Sequence, residues 1–186
     1  EDKFAKFKVN VVVKNEKDVP FYAENSAALI KYGRFFDGAR IGIALYGVNP
    51  VPGDQTLLLP VMTFRAAVIA INTVKKGDFI GYSRGYRAKK DMRVAIISTG
   101  YADGLPRALS NKGTIFCNGQ FLKIVGKVSM DSVAVDAGDA DVKIMDEVVV
   151  FGDEITVTDV ANRADTLPYE ILTGVSERVK RVYKNP

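Results

Sequence analysis

Apolar and polar positions along the chain follow two regimes, and the change between them divides the sequence. Residues 1 to about 47 read as helix, strand, helix, strand, with KNEKDVP as a polar turn and the apolar run ARIGIALYG closing on Gly47. The segment VNPVPGD, with two prolines and a glycine, interrupts this pattern and marks a domain boundary. Beyond it the chain is strand-rich. LLLPVMTFRAAVIAINTV is long and β-branched, KKGD makes a turn, and FIGY, RVAIIST, GTIFC, FLKIVGKVSM, SVAVD and EVVVFG follow at short intervals separated by Gly, Asp and Asn. That spacing predicts a β-barrel or a compact sandwich. TVTDVANRA predicts a short capped helix with Thr156 or Thr158 at its N-cap, and LPYEILTG a second one with Pro168 in its first turn and Gly174 at its end.

One irregularity stands out in FLKIVGKVSMDSVAVD. Leu122, Ile124, Val128 and Met130 share even parity, whereas Val133 and Val135 are odd. Successive strand side chains point to opposite faces, so the slip at Asp131 and Ser132 predicts a bulge or a bend.

Composition narrows the chemistry. The 186 residues are 47% hydrophobic and 26% charged, enough for one domain or a domain plus a fragment. The 26 Lys and Arg exceed the 22 Asp and Glu by four, and they are scattered except at Lys89-Lys90 and Arg178 to Arg181. Only RGYRAKK approaches the basic and aromatic interleaving of a nucleic-acid surface, so no nucleic-acid partner is expected. Cys117, alone, excludes an internal disulfide, fits a reducing compartment and has no metal-ligand spacing around it. The absence of histidine removes the commonest general base and the commonest zinc ligand. Acid-base chemistry then falls to Tyr, Lys, Asp or Glu, and no metal is expected. No apolar stretch reaches the roughly 18 residues of a membrane span. The start, EDKFAKFK, is neither a secretory signal nor a methionine start, and reads as a cut inside a larger protein.

Three stretches carry candidate chemistry. FIGYSRGYR sets Tyr82 and Tyr86 each behind a glycine, and composition alone leaves core packing or proton transfer open for both. GYADGLPRALSN is a loop after a strand that holds Tyr101, Asp103 and Arg107. ENSAAL, with Asn25 and Ser26 at a helix start, and Gly42 after Arg40 offer unpaired N–H groups of the kind that suit a phosphate.

Taken in order, ENSAAL, ARIGIALYG, PVM, GYSRGYRA, GYADGLPRALSN, GKVSMDS and LPYEIL resemble one family, the alanine racemases. The resemblance runs from about residue 20 to residue 183. It implies a mixed fold, the C-terminal end of a (β/α)8 barrel (residues 1–47) followed by a mainly-β, barrel-like C-terminal domain (residues 48–186). It also implies pyridoxal 5'-phosphate as cofactor, L- and D-alanine as substrates, D-alanine supply for peptidoglycan, a bacterial cytoplasmic setting, and a homodimer that shares its active sites.

Position by position, Tyr82 matches the tyrosine that acts as one of two catalytic bases, on the face of the substrate opposite the cofactor lysine. Tyr101 matches a tyrosine that lines the entrance and reaches toward the substrate carboxylate. Arg40 matches the arginine facing the pyridine nitrogen; a guanidinium stays protonated and can only donate, which leaves the ring a weaker electron sink. Ser26, Gly42, Ile43 and Tyr169 match phosphate contacts, two of them through backbone N–H groups. Met130 matches a residue whose backbone N–H meets the substrate carboxylate, and Arg107 and Lys127 match basic positions in the entrance corridor. A phenol with a reference pKa near 10 needs a cationic or hydrogen-bonding neighbour to act as a base near neutral pH, so one is expected beside Tyr82. Tyr86 and Asp131 are left to structural roles.

Two departures accompany the resemblance. Tyr22 stands where the family commonly has a histidine that orients the cofactor arginine, and Lys127 where it often has arginine. Nothing matches the cofactor lysine or most of the barrel, so the 186 residues alone are expected to be inactive. Within the same fold a serine or broad-specificity racemase, or a non-catalytic dimerisation domain, are the rival readings.

Overall fold

A computed structural model describes residue 20 and residues 22–184. The helix and strand expected N-terminal to these, with most of the KNEKDVP turn, lie outside the described residues.

The described chain starts with β1 (Tyr22–Asn25), α1 (Ser26–Tyr32) and β2 (Gly38–Arg40), and β1 pairs with β2 in parallel. The Asn25 side chain accepts from the Ala28 N–H at 2.9 Å and so caps α1. ARIGIALYG does not run on as one strand. β2 ends at Arg40, and Ile43–Tyr46 form a 3₁₀ turn that closes on Gly47.

The strand-rich part folds into a closed antiparallel barrel of β3 (Phe64–Val74), β6 (Met92–Ile97), β7 (Thr114–Cys117), β8 (Gln120–Ile124), β9 (Val133–Asp136) and β10 (Glu147–Phe151), in the order β10-β3-β6-β9-β8-β7. A small hairpin of β4 (Phe79–Ile80) and β5 (Tyr86–Arg87) stands outside it. The period-two pattern decides what faces inward: in β9, Val133 and Val135 are buried while Ala134 and Asp136 are half-buried. Val68, Ala95, Ile97, Ile115, Val135 and Val148 fill the interior with them, and Phe64 meets Phe151 edge to face at 5.7 Å. Cys117 is buried on β7, and burial, with the Asp146 carboxylate nearby, holds its thiol above the ordinary value. A smaller cluster of Ile80, Ala88, Met92, Val94 and Val125 anchors the outer hairpin, with Tyr86 packed against it.

Two helices follow, α2 (Val157–Ala164) and α3 (Pro168–Gly174). α2 buries Val157, Val160, Ala161 and Ala164, one face at i, i+3, i+4 and i+7, into the barrel's core cluster. Thr156, not Thr158, is its N-cap, in a reciprocal capping box with Asp159. Ile43 and Val48, on either side of Gly47, belong to that same core cluster, so the segment before VNPVPGD packs directly onto the barrel.

Two expectations change in detail, and a third is decided between its two alternatives. The long strand begins at Phe64 rather than Leu57, since Leu57 to Thr63 make no ladder and Pro60 has no N–H to give one. FIGY contributes only two strand residues, because the chain turns at Gly81. The parity slip is a bend between strands, not a bulge within one: β8 stops at Ile124, β9 starts at Val133, and the chain reverses at Met130 and Asp131. Ser129 closes this bend by donating to the Ser132 carbonyl from both its N–H (3.0 Å) and its hydroxyl (2.9 Å). No described helix is long and apolar enough to cross a membrane.

Candidate active site

Three connecting segments of the barrel meet around a cleft of about 310 Å³ lined by Tyr82, Tyr101, Arg107, Lys127, Val128, Ser129 and Met130. Residues 81–85 bring Tyr82, residues 98–113 bring Tyr101 and Arg107, and residues 125–132 bring the rest. Seven residues that lie up to 48 positions apart in sequence thus line one cleft. The two phenols and the Met130 side chain are exposed to it, Tyr82 at 73%.

The first loop is built from uncommon backbone. Gly81 has φ +76, and a Cβ there would stand 3.1 Å from the Lys127 N atom, so glycine meets both a left-handed turn and a close approach. Ser83 (φ 55) and Arg84 (φ 54) follow it in the left-handed region, at roughly 1–2 kcal/mol each. The Arg84 guanidinium lies over the Phe79 ring at 5.1 Å, which helps to hold the turn. The Tyr82 phenol itself hydrogen-bonds to no described residue. Arg107 and Lys127 are the cations that share its cleft.

The second loop grips the third. Gly100 comes so close to the bend that a Cβ would lie 2.3 Å from the Met130 carbonyl oxygen. The Tyr101 and Ala102 N–H groups donate to the Ser129 and Met130 carbonyls, each at 3.0 Å. The Met130 N–H finds no acceptor among the described residues. It is an unpaired donor on a cleft-lining residue of the bend. Asp103 turns its loop by accepting from the Gly100 N–H at 2.9 Å, and Arg178 links Asp103 (3.0 Å) to Asp131 (2.6 Å) beside Met130. Ser110 accepts from the Val128 N–H at 3.1 Å and donates to the Arg107 carbonyl at 2.6 Å. Asn111, also left-handed (φ 59), donates to the Gly85 carbonyl at 3.0 Å and accepts from the Gly126 N–H at 2.7 Å.

A second set of residues gathers where β1 and β2 end. Ser26 is 4% exposed, and its hydroxyl accepts from the N–H groups of Gly42 (3.1 Å) and Ala44 (3.5 Å). The Ile43 N–H between them has no acceptor among the described residues, while its side chain is buried in the core. Arg40 donates to the Tyr22 backbone carbonyl. The described hydrogen bond at Arg40 is thus made to main chain rather than to a side chain. Tyr169, half exposed on the first turn of α3, belongs to neither set of described contacts; its neighbours Ile171 and Leu172 pack on the core that contains Ile43.

The sequence reading missed the bracing residues. Ser110, Asn111 and Arg178 give no signal of their own, and only LSN at the end of the GYADG stretch placed the first two near a candidate site.

A closed β-barrel that presents phenols, cations and an unpaired backbone donor around one cleft has the character of an enzyme's substrate-facing domain. The chain belongs to the alanine racemase family. The family model for the alanine racemase C-terminal domain matches residues 61–183. The alanine racemase of Halothermothrix orenii is 39% identical over 177 residues, 90% of this chain and 47% of that protein. That of Aquifex aeolicus is 33% identical over 186 residues, 98% of this chain and 55% of that protein. The crystal structure of alanine racemase from Bartonella henselae with covalently bound pyridoxal phosphate superposes with a TM-score of 0.82 at 40% identity, covering 88% of this chain and 46% of that one. The chain spans about half the length of the curated relatives it matches.

Proposed function

We propose that this chain supplies the substrate-facing β-domain and the last barrel units of an alanine racemase, interconverting L- and D-alanine by two-base proton transfer. The observation that carries the reading is the single cleft shared by Tyr82, Tyr101, Arg107, Lys127 and Met130. In it, Tyr82 gives and takes the Cα proton on one face of the substrate. The Met130 N–H and Tyr101 receive the substrate carboxylate, and Arg107 and Lys127 draw that anion inward. Lys127 contributes a point charge rather than a planar fork, so it attracts the carboxylate without bidentate pairing.

Residues 1–47 are the end of a (β/α)8 barrel and residues 48–186 the C-terminal domain. The donors around Ser26 fit pyridoxal phosphate: the buried hydroxyl, which accepts from Gly42 and keeps its own proton to give, and the open Ile43 N–H would hold its phosphate, with the Gly42 backbone shaping the turn and Tyr169 as a further contact. When bound, the cofactor supplies the electron sink that makes the alanine Cα–H acidic. Arg40, held by the Tyr22 carbonyl, would donate to the pyridine nitrogen of the cofactor and leave the ring a weaker electron sink, since a guanidinium donates without giving up its proton. The two residue sets serve different copies of the chain in a homodimer with shared sites. None of the chain's residues matches the lysine that would hold the cofactor, so the 186 residues by themselves are expected to be inactive. D-alanine for peptidoglycan in the bacterial cytoplasm is the role.

Replacing Tyr82 with Phe in the intact protein tests the reading. Loss of racemisation by a factor on the order of 100 or more, in both directions, is expected of a removed acid-base group; full activity would remove Tyr82 as a base.

A further inference from the structure

The phenol of Tyr82 has no hydrogen-bond partner among the described residues, so its position depends on where residues 81–85 hold it. Those residues touch the cleft floor at two ends. At one end Gly81 lies against the Lys127 backbone; at the other a Cβ on Gly85 would meet the Lys127 side chain at 2.8 Å and the Tyr82 carbonyl at 3.2 Å. Van der Waals contact alone does not fix a loop whose two central residues sit in a left-handed conformation. One side chain joins the two segments by hydrogen bonds. Asn111 donates to the Gly85 carbonyl and accepts from the Gly126 N–H, at 3.0 and 2.7 Å. This pairing uses both ends of a carboxamide in a single orientation, because a carbonyl needs a donor and an N–H an acceptor. Asp offers no donor, Ala offers neither, and Gln places its amide one carbon further out.

Asn111 does not line the cleft, yet it belongs to the loop that brings Arg107 and Tyr101, and its neighbour Ser110 ties that loop to Val128. All three loops therefore meet at consecutive side chains. We infer that Asn111 is a positioning residue for proton transfer by Tyr82, setting the distance between the phenol and the substrate held over Met130. The inference rests on the reading of Tyr82 as a base.

In the intact, cofactor-loaded protein, Asn111→Ala and Asn111→Asp are expected to lower kcat on the order of 10-fold with KM for alanine within about twofold, the pattern of a misplaced reacting group rather than a lost binding contact. With α-deuterated substrates the primary isotope effect rises for the one enantiomer whose proton Tyr82 removes, and does not rise for the other. A general loosening of the fold would not separate the enantiomers. Asn111→Gly keeps the left-handed backbone and removes only the carboxamide, so it decides the matter where Asn111→Ala fails to fold. Wild-type isotope effects for both enantiomers in a folded Asn111→Gly or Asn111→Asp variant overturn the inference. Tyr82→Phe run alongside keeps the two ideas apart. If it remains fully active, the reading of Tyr82 fails; if it is inactive while the Asn111 variants keep wild-type isotope effects, only the positioning role fails.

Discussion

Met130 contributes to the cleft through its main chain, and this separates two kinds of substitution. Exchange of Met130 for Leu keeps the free N–H and the grip of Ala102 on its carbonyl, so KM for alanine should stay within about twofold in steady-state assays. Arg178→Ala should do the reverse. Its guanidinium reaches solvent, so its ion pairs with Asp103 and Asp131 contribute little to stability. They do, however, fix the bend that aims the Met130 N–H. KM is expected to rise severalfold while the thermal midpoint moves by only a few degrees; an unchanged KM would reduce Arg178 to a surface charge. Tyr82, Tyr101, Arg107, Lys127 and Met130 were legible because motif order placed them, and they do share one cleft. Asn111 and Arg178 were not, because their partners lie 26, 15, 75 and 47 residues away and only the fold brings them together.

The elements that sequence read best are those whose signals are local. TVTDVANRA carries its cap, its acidic N3 residue and its apolar face within ten positions, and α2 forms there. The choice between two threonines needed geometry, and it has a direct test. Thr156→Ala removes the hydroxyl that accepts from the Asp159 N–H, leaving only the backbone arm of the capping box, and should cost about 1 kcal/mol, whereas Thr158→Ala, inside α2, should be close to neutral. Thermal melts would distinguish them, with a drop of roughly 2–4 °C for the first. Where the sequence misled, the cause was a β-branched or apolar run read without its breakers. Pro60 delays β3 until Phe64, Gly81 ends β4 after two residues, and the ARIGIALYG run tightens into a 3₁₀ turn at Ile43–Tyr46. A change of parity could report a reversal as readily as a bulge, and at Met130–Asp131 it reports a reversal.

At the scale of the whole domain, the buried thiol of Cys117 couples stability to alkaline pH. Its folded-state pKa is raised by burial and by Asp146. Below the ordinary thiol value of about 8.5 the folded and unfolded chains both keep the proton and the site is silent. As pH rises through that value the unfolded chain ionises first, so stability falls until the folded thiol also ionises. Denaturant midpoints measured from pH 7 to 10 should decline, and less so in Cys117→Ala. The barrel also has a seam. β7 and β10 close it through one registered pair, Val149 with Phe116, whereas β3 meets β6 through six and β7 meets β8 through four. If the ring breathes, it opens there, and native-state hydrogen exchange should find the amides between β7 and β10 less protected than those between β3 and β6. Such an opening leaves β10-β3-β6-β9-β8-β7 as one unbroken ribbon. The cleft loops hang from the joints between β3 and β6, β6 and β7, and β8 and β9, none of which is the seam. A barrel that parts on that side can relax without disturbing the spacing of the side chains that line the cleft.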